Sequence, residues 1–250
     1  MNPIGIIPAR FASTRFPGKP LAMIGDKPMI QRVYEQAKKV LETVVVATDD
    51  DRIFSTVEAF GGKAVMTSIS HKSGTDRCAE AVTVLMEQEH KTFDVVLNIQ
   101  GDEPFLQPDQ LRKVLSCFFE KEAQIATLVK PFGPSDDIHN PNSPKVIINS
   151  SKEAIYFSRS PIPYIRGVAV EDWPTQHIFL KHIGLYGYRT SILQEITRLE
   201  QTPLELAESL EQLRWIENGY KIMVELTHIE SFGIDTPEDL DRAIKLGLLG

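Results

Sequence analysis

The chain has 250 residues, 42% hydrophobic and 24% charged, with a formal net charge of −7; that is enough material for a buried core in one large or two small domains. The acidic balance argues against a general nucleic-acid binder, whose footprint is a basic surface, and no apolar run approaches a membrane span. Cys78 and Cys117 stand far apart in unrelated contexts, so neither a disulfide framework nor a cysteine metal site is indicated. No secretory signal pattern opens the chain, and a cytoplasmic location is expected.

Short β-branched runs alternate with amphipathic stretches through the first hundred positions. Residues 4–7, 43–47, 64–66 and 95–99 predict buried strands with little polar alternation; 29–41, 52–60 and 76–89 predict helices. This alternation predicts an α/β fold of the three-layer, Rossmann-like kind with a mixed, mostly parallel sheet. Further along, 107–122 reads as a helix opened by Pro108 and Asp109, 125–129 as a strand and 135–143 as a loop. A hairpin is expected from 146–149 and 154–158, then a long proline-bearing, aromatic excursion over 160–176. Residues 183–188 and 222–226 read as strands and 204–218 as a helix; Thr236-Pro237-Glu238-Asp239 opens a final helix with a cap, a proline and acids facing its dipole. The expected organisation is a single domain over 1–250, with a smaller sheet subregion at about 130–190 serving acceptor binding and dimerisation.

In such sheets ligands bind beyond the carboxyl ends of the strands. The loop after the first strand places Arg10, Arg15 and Lys19 close together, with Pro17 and Gly18 just before the lysine. Three cations that near one another repel unless solvent or an anion separates them, so the loop reads as a polyanion site, specifically for a nucleoside triphosphate. It is neither a Walker loop nor a dinucleotide fingerprint; its spacing suits a wrap of phosphates by side chains as well as amides.

Gln100-Gly101-Asp102-Glu103-Pro104 closes the 95–99 strand, where a Mg²⁺ carboxylate would sit beside a phosphate loop, although Gly101-Asp102-Glu103-Pro104 also makes a plain turn. Asp235 is the candidate second carboxylate, with an extra N-terminal helix acid as its alternative. Thr48-Asp49-Asp50-Asp51 has the look of an acidic metal motif, but a helix start is favoured. Residues 71–77 combine a glycine, hydroxyls and a helix cap at Thr75 or Asp76, a loop able to meet a base edge. Arg159 and Arg166 flank Pro161-Ile162-Pro163-Tyr164, and the even spacing of His182 and Tyr186 puts both on one sheet face.

Pro-Ala-Arg-x-x-Ser-x-Arg-x-Pro-Gly-Lys-x-Leu at 8–21 resembles the signature of the 3-deoxy-manno-octulosonate (Kdo) cytidylyltransferases. The blocks 47–50, 73–77, 98–104, 157–163, 182–188 and 233–240 resemble that family's in order, and the Phe-Pro-Gly-Lys ending sides with it rather than with the sialate branch. The resemblance implies a nucleotide-diphospho-sugar transferase fold and transfer of CMP from CTP to Kdo, releasing pyrophosphate and feeding lipopolysaccharide biosynthesis. It implies that Arg10, Arg15 and Lys19 bind the triphosphate, with Lys19, Arg15 and Asp102 as the catalytic set, and that Ser73 meets the cytosine end. It further implies that Asp102 and Asp235 hold Mg²⁺, that Gln100, Arg159, Arg166, His182, Tyr186 and Gln212 face the sugar acid, and that the protein is a homodimer. The rivals are a sialate-type cytidylyltransferase, a sugar-1-phosphate nucleotidylyltransferase and a non-catalytic nucleotide-binding module.

Overall fold

A computed structural model describes residues 1–13, 15–230 and 232–245. In chain order it holds strand β1 (Pro3–Ala9), a two-residue hairpin of β2 (Met23–Ile24) and β3 (Lys27–Pro28), α1 (Met29–Lys38), β4 (Thr43–Thr48), α2 (Asp51–Ala59), β5 (Ala64–Met66), α3 (Gly74–Glu89) and β6 (Val95–Asn98). There follow α4 (Pro108–Cys117), β7 (Ile125–Pro131), β8 (Lys145–Ile148), β9 (Ala154–Ser158), α5 (Trp173–Gln176), β10 (Leu180–Arg189), α6 (Thr190–Ile196), α7 (Pro203–Glu208), α8 (Glu211–Glu217), β11 (Ile222–Leu226) and α9 (Pro237–Lys245). Among the described residues no helix is long and apolar enough to cross a membrane.

The chain divides into two compact units, one of residues 1–112, 187–197 and 231–250, the other of 113–186 and 198–230. The first is parallel where register is defined: β1 lies between β4 and β6, and β5 extends the row beyond β4. Ile4, Ile6, Val45, Val46, Val95 and Val96 are fully buried, as strands covered on both faces require. α1 packs on β1 and β4, α2 on β4 and β5, and α3 reaches β1 and β6. The strand order runs outward from β1 through β4 to β5, then returns to the other side of β1 with β6. Strand order therefore reverses between β1 and β6, and their carboxyl ends frame the crevice where ligands bind in open α/β sheets.

The second unit is mixed. β11 pairs with β7 in parallel, while β8 pairs antiparallel with β9 and β10. The expected hairpin is present, and the 160–176 excursion carries a 3-10 turn and α5. Trp173 is buried there, stacked with Phe179 and met edge-on by Tyr164. The subregion expected at about 130–190 falls largely inside this unit.

Several boundaries differ from the sequence expectation. The helix expected over 204–218 is two helices, broken where Ser209 adopts a left-handed conformation (φ 50°). The cap of α3 is Ser73 rather than Thr75 or Asp76: its hydroxyl accepts from the Asp76 amide at 3.1 Å, while Asp76 accepts from the Ser73 amide at 3.2 Å. A reciprocal capping box satisfies two orphan helix amides, so the helix starts two residues early. The short α6 and the β2–β3 hairpin have no counterpart in the expected elements; α4 stops at Cys117, short of the expected 122.

Candidate active site

The loop after β1 closes on itself. The Phe11 carbonyl accepts from the amides of Ser13 (2.9 Å) and Gly18 (3.0 Å), and Gly18 turns the chain at φ 71°. That left-handed value suits glycine, and it launches the 3-10 turn Lys19–Leu21, with Pro20 locking its second position. Phe16 anchors the loop in an apolar cluster with Ile24, Met29 and Ile234, into which Phe105 and Phe232 also pack.

The same cluster sets the acids. Beside Ile234, whose amide donates to the Asp102 carbonyl at 2.9 Å, the chain carries Asp235 to the end of β6. Thr236 then caps α9, exchanging hydrogen bonds with Asp239. Lys19 Nζ lies 2.6 Å from Asp102 Oδ2 and 3.1 Å from Asp235 Oδ1, and Arg15 reaches the same Asp235 oxygen at 3.1 Å. Only 13% of the Lys19 side chain is exposed, whereas Arg15 is 65% exposed. Among the described residues no group of three or more His, Cys, Asp or Glu gathers for a metal; the two aspartates stand as a pair.

Above them opens a cavity of about 310 Å³, lined by Arg10, Ser13, Arg15, Lys19, His71, Lys72, Ser73, Gly74, Arg77, Gln100, Gly101, Asp102 and Asp235 among others. Of the five lysines and arginines on its lining Arg77 is paired with Asp49, which leaves four cations facing two acids, a local excess of two positive charges in a protein of net charge −7. Such a concentration of charge draws a polyanion from solution. Ser73, which caps α3, and Gly74, its first residue, line the same cavity, placing the positive end of that helix at its wall. The preceding loop is tied down by Glu80, which accepts from the Ser68 amide at 2.8 Å and contacts His71 Nε2.

The acidic run after β4 divides its labour. Asp49 pairs with the buried Arg77 at 2.8 Å, and Arg77 also donates to Thr67 Oγ1 at 2.6 Å. Asp50 caps α2 by accepting from the Arg52 amide at 3.0 Å, which makes the segment a helix start. Arg77, His71 and Lys72 are cavity residues that reading the 71–77 segment as a whole did not single out. The available signal was a basic residue one turn after a capping serine.

The remaining candidates lie in the second unit. Every guanidinium nitrogen of Arg159 donates to a main-chain carbonyl: Glu208 at 2.6 Å, Pro141 at 2.8 Å and Ser209 at 3.1 Å. The buried Lys145 donates to the Arg159 carbonyl at 2.6 Å. Arg166 is exposed. His182 and Tyr186 share a strand face with ring centroids 5.2 Å apart, and Tyr186 meets Trp215 at the same separation. Thr127 Oγ1 is 3.1 Å from His182 Nε2 and donates to a carbonyl of β10, which leaves it to accept from an Nε2–H. Burial lowers the His182 pKa to about 4, so the ring is neutral at pH 7. Burial likewise raises that of Tyr186, with a smaller contribution from Glu211. Gln212, one helical turn from Trp215, is 5% exposed, and its Nε2 has no hydrogen-bond partner among the described residues.

A cytidylyltransferase family profile matches residues 4–222. A 3-deoxy-manno-octulosonate cytidylyltransferase of Parabacteroides distasonis is 61% identical over 248 residues, covering 98% of this chain and 97% of that protein. The chain belongs to the Kdo cytidylyltransferase family. Its relative from Bacteroides thetaiotaomicron, of the same name, is 60% identical over 246 residues, covering 97% of each. Among solved structures, a CMP:2-keto-3-deoxy-manno-octonic acid synthetase complexed with CTP superposes with a TM-score of 0.89 at 40% identity, covering 99% of this chain and 98% of that one. A putative glucose-1-phosphate thymidylyltransferase from Bacillus anthracis, at 16% identity and a TM-score of 0.64, shares the fold, which has the mostly parallel α/β sheet expected of the family.

Proposed function

We propose that this chain transfers CMP from CTP to the anomeric hydroxyl of Kdo, giving CMP-Kdo and pyrophosphate for lipopolysaccharide biosynthesis. One observation carries the reading: Lys19 stands between Asp102 and Asp235 beneath a cationic cavity at the β1–β6 reversal point. The family's relatives carry this activity in their names.

The donor set fits Mg²⁺. Two carboxylates converge on one ammonium, which occupies the place of a cation, and Mg²⁺ takes one or two carboxylates with water and phosphate oxygens completing its shell. Asp102 and Asp235 would hold the ion, whose chemistry there is neutralisation of phosphate charge and acidification of the attacking hydroxyl. Arg10, Arg15 and Lys19 grip the triphosphate, and Ser73 with its loop meets the cytosine end.

The sugar oxygen attacks the α-phosphorus in line. The bond from that phosphorus to the bridging oxygen breaks, pyrophosphate leaves with the electron pair, and the hydroxyl proton is lost. The protein's contribution is positioning and charge compensation, Lys19 being the most buried of the three cations. Gln100, Arg159, Arg166, His182, Tyr186 and Gln212 serve the sugar acid. Of the two arginines the exposed Arg166 is the better partner for its carboxylate, since Arg159 would have to give up carbonyl acceptors. The orphaned Gln212 amide supports a ligand acceptor nearby, because a buried donor left unpaired is costly. A cytoplasmic homodimer completes the reading.

The test is pyrophosphate release from CTP, with Kdo and N-acetylneuraminate offered in parallel. Release that needs both Kdo and Mg²⁺ is the expected result. Release with N-acetylneuraminate alone would move the chain to the sialate reading, and none with either would leave a binding module.

A further inference from the structure

We propose that Phe11 and Arg52 form a latch that holds the triphosphate loop ready for CTP, making both positioning residues for the nucleotide. The inference rests on the reading that this loop grips the triphosphate. Neither residue lines the cavity.

The observations form a connected chain. The Arg52 guanidinium carbon lies 3.3 Å from the centroid of the Phe11 ring, a cation over an aromatic face. Asp50 holds that guanidinium from the other side in a two-pronged pair, Nε to Oδ1 at 2.9 Å and the terminal nitrogen to Oδ2 at 2.6 Å. Phe11 in turn backs the turn before Lys19. Its carbonyl accepts from the Gly18 amide at 3.0 Å, and a β-carbon added at Gly18 would sit 3.0 Å from its ring edge. α2, which carries Arg52, packs against the 3-10 turn Lys19–Leu21.

The loop needs such a backing. Arg10, Arg15 and Lys19 are crowded into one short loop, and Asp102 and Asp235, which pair with Lys19 and Arg15, offset only part of their mutual repulsion. The fourth cation, Arg52, is turned away from this repulsion because Asp50 compensates its charge and its flat face rests on carbon. A loop that is closed only part of the time binds CTP more weakly by the fraction closed, yet once CTP is bound the geometry is restored. Loss of the latch therefore raises KM for CTP and spares kcat.

The experiment compares steady-state kinetics and melting temperature for Phe11→Leu, Phe11→Tyr, Arg52→Gln, the Phe11→Leu/Arg52→Gln double variant and Lys19→Ala. Phe11→Leu and Arg52→Gln are each expected to raise KM for CTP by about fivefold, with kcat within about twofold, KM for Kdo unchanged, and Phe11→Tyr close to the parent. The double variant should match the worse single one, because both residues belong to one contact. An unchanged KM for CTP in both single variants, whatever happens to melting temperature or kcat, overturns the latch, as does a double variant whose effects multiply. Lys19→Ala separates the two readings. If it raises KM for CTP or lowers kcat while the latch variants do nothing, only the latch fails; if it too changes nothing, the loop is not the triphosphate site and both fail.

Discussion

Lys19 and Asp102 are 83 positions apart in the chain, and their side chains meet at 2.6 Å. The lysine proposed to serve the phosphates is a counter-ion for both acids proposed to hold the metal. An ammonium between two carboxylates competes with any cation for the same oxygens.

From that competition follows a separation of affinities. Lys19→Met is expected to tighten binding of Mn²⁺ in the absence of CTP by about threefold or more, since an opposing charge is removed at short range. The same variant should lose turnover in the presence of CTP. Paramagnetic titration of free Mn²⁺ reads the first effect; weaker or equal binding would mean that the lysine does not occupy the cation's place.

The acids themselves carry the larger kinetic effect. Asp102→Asn and Asp235→Asn should each lower kcat by about 10²-fold, the size typical of lost electrostatic stabilisation at a reacting centre. Near-normal turnover of either at modest Mg²⁺ removes that residue from the metal site.

Gly101 lets the segment after β6 approach the end of β1 closely. A β-carbon there would lie 3.0 Å from the Pro8 carbonyl oxygen, a main-chain atom with little freedom to yield. Gly101→Ala should therefore destabilise the protein by about 1–3 kcal/mol through overpacking. It should also weaken CTP binding, because Arg10 follows directly on the strand that must shift. Chemical denaturation and a CTP titration check both effects, and a parent-like variant would show that the contact relaxes without consequence.

His182 makes stability depend on pH. Its folded pKa of about 4 lies below the ordinary imidazole value of about 6.5, so between these values the unfolded chain binds more protons. Its contribution is complete above about pH 6.5 and is lost as pH falls toward 4, on the order of 3 kcal/mol across that window. Urea unfolding from pH 7.5 to 4.5 should show this slope, reduced in His182→Gln. Equal slopes in the two proteins would assign the acid sensitivity elsewhere.

Arg214 and Glu205 form a buried pair at 3.1 Å, with side chains 10% and 7% exposed. Arg214→Met leaves a carboxylate buried without its cation and should cost about 3–5 kcal/mol, whereas replacing both by apolar residues should cost much less. A double variant as unstable as the single one would show that packing, not charge, dominates there.

Much of the first unit was legible in the chain because its signals are local. Four β-branched runs, the helices between them and the cap–proline–acid opening of α9 depend on near neighbours, and the structure has them within a few residues. The cationic loop was legible for the same reason: its prolines, glycine and charges lie within one short segment. Elements set by distant partners were not. The break at Ser209 carries neither glycine nor proline; it lies beside Glu208, whose carboxylate holds Ser158 Oγ at 2.7 Å and the Arg159 amide at 2.9 Å. Arg159 read as a residue facing the sugar acid, and only the folded chain supplies the three carbonyls that engage it.

By itself the sequence determined the alternation that makes a parallel sheet, the charge of the loop behind its first strand, and the two acids available to face it. Which acids meet which cation was decided by the tertiary structure, through Phe16 and Ile234 packing in one apolar cluster and the Ile234 amide bonding to Asp102. The physical reason is range. Propensity, capping and charge spacing act over a few residues and are written in order along the chain, whereas bringing position 235 to position 19 needs burial and hydrogen bonds that exist only once the sheet has formed.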